Sequence, residues 1–141
     1  MASTDSAPKR LRPRPLSPHL EIYRFTLTMA MSIAHRITGI GLYVGTLLLA
    51  WFLIAASMNG VAFATFSGFI HSWIGRLILF GFTWSLFHHL LGGIRHLIWE
   101  AVYGLDDPDR ETLAIATLVG GIGLTILTWV LGYWMIGTWN K

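Results

Sequence analysis

The chain has 141 residues, 54% of them apolar, with seven acidic and ten basic side chains; that is too apolar for a soluble domain of this length and predicts a small, single-domain integral membrane protein. Cysteine is absent, which excludes disulfides, thiolate metal sites and cysteine-ligated iron–sulfur clusters within the chain. The net charge of +3 does not read as a nucleic-acid signal, because the basic residues gather ahead of the first apolar stretch, where juxtamembrane charges belong.

Residues 1–24 form a polar arm interrupted by Pro8, Pro13, Pro15 and Pro18. It is expected to be extended, with a short surface helix near Ser17-Pro18-His19-Leu20-Glu21. It lacks the apolar core of a secretory signal. Its basic and serine content resembles a transit peptide, but the prolines disfavour an amphipathic helix.

Three apolar stretches follow, at about residues 25–58, 69–102 and 113–139. The uncharged run 37–58 is long enough to cross about 30 Å of hydrocarbon. Asn59-Gly60 ends the first stretch, and residues 60–72 read as loop and helix start. Arg76 and Arg95 sit near the ends of the second stretch; the third carries no charge. Gly104-Leu105-Asp106-Asp107-Pro108-Asp109 reads as a turn, with Asp109 or Thr112 as candidate cap of the last helix. The fold class is therefore all-α: three transmembrane helices in an up-down-up bundle over residues 25–141, preceded by an extended N-terminal arm. Gly39, Gly41 and Gly45, with Gly120, Gly121 and Gly123, would allow close helix contact. Lys9, Arg10, Arg12, Arg14 and Arg24 precede the first span, and the first connection has no Lys or Arg. This places the N-terminus on the cytoplasmic (or matrix) side. Trp51, Trp73, Trp134 and Trp139 suit the outer interface, Trp99 and Tyr103 the inner one.

Ionisable groups inside a membrane are costly and mark functional sites. In the second stretch they occur as His89-Leu90-Leu91-Gly92-Gly93-Ile94-Arg95-His96. His89, Gly93 and His96 share one helix face. An imidazole beside a missing side chain offers a flat, iron-bearing macrocycle a ligand and a gap. Arg95 and His96 lie roughly 9–10 Å further along, within reach of haem propionates. Spacing alone fits equally an interhelical hydrogen-bonding histidine. His88 points about 100° away and reads as a partner-facing or hydrogen-bonding residue. His71 would lie on the His89 face about 27 Å away if the helix were continuous. It reads as an interfacial histidine rather than a second haem ligand.

The first stretch opens with Ser32-Ile33-Ala34-His35-Arg36-Ile37-Thr38-Gly39. Ser32 and Arg36 share a face. A hydroxyl and a guanidinium there could hold quinone carbonyls, a lipid phosphate or a propionate; on pattern alone, an interfacial anchor with snorkelling Arg36 is favoured. Counting residues from the inner interface puts His35 level with Arg95 and His96, not with His89. His35 is therefore expected near a propionate, and the second axial ligand is expected from another chain.

Arg14-Pro15-Leu16-Ser17-Pro18-His19-Leu20-Glu21-Ile22-Tyr23, the Ser32–Gly39 segment and the run from His89 to Trp99 closely resemble the cytochrome b membrane-anchor subunits of succinate dehydrogenase, respiratory complex II. The resemblance covers the chain from about Arg12 onward. It differs slightly at Trp99-Glu100, where the family often has Trp-Asp. It implies a haem b between this chain and a second three-helix anchor, with His89 as axial ligand and no catalytic residue of its own. It implies His35, Arg36, Arg95 and His96 around the haem propionates. It implies a ubiquinone site with Ser32 and Arg36, flanked by Leu20, Phe25 and Ile33. It further implies a flavoprotein subunit with FAD and an iron–sulfur subunit that pass electrons from succinate. The implied setting is a bacterial inner membrane rather than a mitochondrial one. Two other readings share the same spans: a haem-free anchor or assembly protein, and a small transporter.

Overall fold

The computed structural model describes residues 24–139. The expectations for the N-terminal arm, Leu20 included, lie outside the described residues. Four helices follow in order: α1 (Leu27–Met58), α2 (Gly60–His71), α3 (Trp73–Glu100) and α4 (Asp107–Trp139). α1, α3 and α4 are each long and apolar enough to cross a membrane. The all-α three-span architecture expected from the sequence is therefore present.

The helix starts follow capping chemistry. The Thr26 hydroxyl accepts from the Met29 amide, the Asn59 side-chain Oδ1 from the Ala62 amide and the Ser72 hydroxyl from the Gly75 amide. Asn59 and Ser72 are each a single extended residue between helices. The segment after Met58 is thus a helix, not the expected loop, and α3 starts at Trp73 rather than near residue 69. α2 carries no charge and folds back along the last turns of α1. There Phe66 is buried against Trp51 and Phe52, with ring centroids 5.1 and 5.5 Å away. α4 begins at Asp107, earlier than expected. Its first turn is held by the Arg110 amide on the Asp106 carbonyl and by an exposed Asp107–Arg110 ion pair.

The turn after α3 closes as a Schellman motif. The Tyr103 amide donates to the Ile98 carbonyl and the Val102 amide to that of Trp99. This geometry demands a left-handed residue, and valine occupies it, with φ of 64°. The Trp99 indole N–H donates to the Gly104 carbonyl over 3.1 Å and ties the turn to α3.

The bundle is inverted relative to a soluble one. Long apolar side chains such as Leu47, Ile40, Leu77 and Val130 face outward. The interior holds small and hydroxyl residues, among them Thr38, Ser85, Thr117 and Thr125. The three threonines satisfy themselves on carbonyls one turn back, at 2.7–2.9 Å. Such interiors let helix backbones approach closely. Gly121 lies against the His88 backbone, where a Cβ would stand 3.2 Å from Cα, and Gly45 makes room for the Phe82 ring.

Candidate functional site

Where α1 crosses α3, two glycines replace side-chain bulk with imidazole. Gly39 on α1 faces His89, which a Cβ there would approach to 3.1 Å. Gly92 on α3 faces His35, whose ring a Cβ there would overlap. The two imidazoles stack between these gaps, with centroids 3.9 Å apart and planes 7° from parallel. His35 is therefore level with His89, contrary to the depth expected from residue counting. The vertical offset between the two helices is set by this glycine crossing, and neither helix encodes it alone.

His89 is half-buried. Its Nδ1 lies 3.0 Å from the His35 carbonyl oxygen and 3.4 Å from the Thr38 hydroxyl. A carbonyl only accepts, so Nδ1 carries the proton and donates it. Nε2 is left with the lone pair, the arrangement in which a ring nitrogen binds a metal. One turn on, a Cβ at Gly93 would meet nothing within 4 Å. An Nε2 lone pair, with open space one turn further along α3, fits a flat iron macrocycle. The stacked His35 ring does not fit as second ligand. Axial ligands approach iron from opposite faces, and two rings in van der Waals contact leave no room between them.

Two further basic residues of α3 gather around Trp99. His96 is exposed on the His89 face, 5.5 Å from the His35 ring and edge-on to Trp99 at 5.2 Å. Arg95 is 3% exposed and sits over the same Trp99 ring at 5.0 Å. Arg95 and His96 thus both contact Trp99, one buried and one exposed. Arg95 Nε and Nη1 and His35 Nδ1 are buried without a hydrogen-bond partner. The unpaired guanidinium N–H groups of Arg95 suit an anionic group such as a carboxylate.

Ser32 and Arg36 are exposed on α1, with Phe25 and Ile33 on the same proximal segment, 61% and 48% exposed. They form an open surface of α1 and do not touch His89. His71 ends α2 and donates from Nδ1 to the Ser67 carbonyl at 2.7 Å. Because Ser72 breaks the helix, His71 and His89 do not share a continuous face. His88 is fully buried against α4, not presented to a partner, and neither ring nitrogen has a hydrogen bond. Sequence reasoning did not single out Thr38 or the cradling role of Gly39 and Gly92. The spacing of His35, Thr38 and Gly39 on one face of α1 was the available signal.

Residues 10–131 match the family model described as succinate dehydrogenase/fumarate reductase transmembrane subunit. The succinate dehydrogenase cytochrome b556 subunit of Paracoccus denitrificans is 42% identical over 118 residues, covering 84% of this chain and 91% of that one. The cytochrome b556 subunit of Rickettsia felis is 35% identical, covering 83% and 91% of the two chains. The mitochondrial cytochrome b560 subunit of Sus scrofa is 38% identical, covering 82% and 67%. With three spanning helices and a match over most of its length, the chain belongs to the succinate dehydrogenase/fumarate reductase transmembrane subunit family.

Proposed function

We propose that the chain is the haem-bearing membrane anchor of a succinate:quinone oxidoreductase and builds part of its ubiquinone-reduction site. The observation that carries this reading is the His89 imidazole, with Nδ1 tied to a backbone carbonyl, Nε2 free, and open space over Gly93. His89 would hold the iron of a haem b, and a second three-helix anchor would supply the other axial ligand. A bound haem supplies a one-electron store. His35, Arg36, Arg95 and His96 would neutralise its propionates, which would give the orphaned guanidinium donors of Arg95 their partners.

The quinone reading rests on Ser32 and Arg36. Their hydroxyl and guanidinium are exposed one helical turn apart, the placement needed to polarise a quinone carbonyl as electrons arrive. Leu20, Phe25 and Ile33 would flank the ring and keep water from it. Reduction consumes two electrons and two protons per quinone. In this reading the electrons come from succinate through FAD and iron–sulfur clusters of partner subunits, and the protons enter along the exposed proximal surface of α1. The N-terminus would face the cytoplasm of a bacterial cell.

The test uses the intact membrane complex. His89→Ala should abolish the b-type α-band in the reduced-minus-oxidised spectrum. Ser32→Ala and Arg36→Ala should impair quinone reduction while sparing succinate oxidation by an artificial acceptor. A wild-type complex without the band would reject haem binding; equal loss of both activities would reject a local quinone role.

A further inference from the structure

Arg76 lies at the other end of the bundle from His35 and Arg36, in the first turn of α3. A cation is unfavourable there, because the helix dipole already places positive charge at that end. The acidic residues among those described are Glu100, Asp106, Asp107, Asp109 and Glu111. All lie at the proximal end, with Glu100 about 36 Å further along α3. No described carboxylate can therefore pair with Arg76.

Beside Arg76 a cavity of about 420 Å³ opens between α3 and α4, bounded by the end of α2. Ile70, Leu79, Trp129 and Ile136 give it apolar walls. Its polar groups are few. The Trp129 N–H is used on the Thr83 hydroxyl at 3.4 Å, and that hydroxyl donates to the Leu79 carbonyl. Arg76, His71 and Tyr133 also line the space. Apolar walls with a lone, uncompensated cation match an amphiphile with a negative head. A neutral quinone could accept a hydrogen bond from Arg76 but would leave its charge uncompensated. A carboxylate side chain would pair it but leave the apolar volume empty.

We propose that this cavity binds a phospholipid: its phosphate sits on Arg76, with His71 and Tyr133 as further hydrogen-bonding groups, and an acyl chain enters between α3 and α4. The site is separate from the proximal haem and quinone reading and does not depend on it.

The experiment compares the purified membrane complex carrying the wild-type chain with complexes carrying Arg76→Gln or Gly132→Leu. Gly132 lines the cavity and a Cβ there meets nothing within 4 Å, so leucine fills open space rather than disturbing a helix contact. Each complex is stripped in detergent and titrated with palmitoyl-oleoyl phosphatidylglycerol, and bound lipid is counted by native mass spectrometry. The wild type should retain one phospholipid more than either variant. Arg76→Gln should weaken its binding about tenfold, the scale of one charged hydrogen bond. Arg76→Lys should recover part of the loss, and quinone reduction should be unchanged in all three variants. Equal lipid retention by wild type and both variants would overturn the proposal. So would a quinone recovered in place of the phospholipid, or loss of a protein subunit from Arg76→Gln with the lipid count unchanged.

Discussion

Gly93→Ala separates a face that is empty because nothing belongs there from a face kept empty for a cofactor. In the isolated chain a Cβ at Gly93 meets nothing within 4 Å. Judged by the chain alone, alanine should stabilise α3 by up to about 1 kcal/mol, through helix propensity. If the macrocycle held by His89 lies against this face, the added methyl instead overlaps it. Inserting a methyl into a filled site costs about 1–3 kcal/mol, which is a loss of roughly 5- to 150-fold in haem affinity. The two readings therefore differ in sign. Gly81 on the same helix also has nothing within 4 Å, and Gly81→Ala reports the propensity effect alone. The assay is haem per complex from the reduced-minus-oxidised band, with thermal stability in detergent measured alongside. Gly93→Ala should lose haem while Gly81→Ala keeps it. Full haem content in a stabilised Gly93→Ala complex would refute a macrocycle over Gly93.

The remaining predictions concern the turn and the buried histidine. Val102 holds a left-handed conformation that costs an L-residue roughly 1–2 kcal/mol, partly offset in any glycine replacement by chain entropy. Val102→Gly should raise the stability of the chain by about 0.5–1 kcal/mol, read as a higher thermal midpoint; a lower midpoint would show that the valine side chain contributes more than its strain. His88 has two buried nitrogens without partners, and replacing such a group by an apolar one of similar size is near neutral. His88→Leu should keep the α-band and change stability by no more than about 1 kcal/mol. A lost band in an assembled complex would assign His88 to the haem site.

The three spans were legible because a membrane demands long uncharged runs, and Asn59-Gly60 marked the first break. α2 was not legible as a helix. Its twelve residues are too short to span, and they fold only because Asn59 and Ser72 cap it and Phe66 packs on Trp51. His89 was legible as a ligand candidate from Gly93 one turn away. The level of His35 was not, because the Gly39–Gly92 crossing fixes how far α1 slides against α3. Six residues from His89, Arg95 falls about 120° round the helix, whereas His96 returns to the same side, and Trp99 contacts both.

The corners at Asn59 and Ser72 also make the molecule one-sided toward water. Between Leu27 and Glu100 these are the only residues outside a helix, so the connection from α1 to α3 offers no slack backbone for a protease to thread. The six-residue turn between α3 and α4 is looser and carries Asp106 beside α4. A protease confined to one face of a sealed vesicle should therefore cut between α3 and α4 from one side and leave the α1–α3 hairpin whole from the other. The chain thus carries a built-in marker of its own orientation.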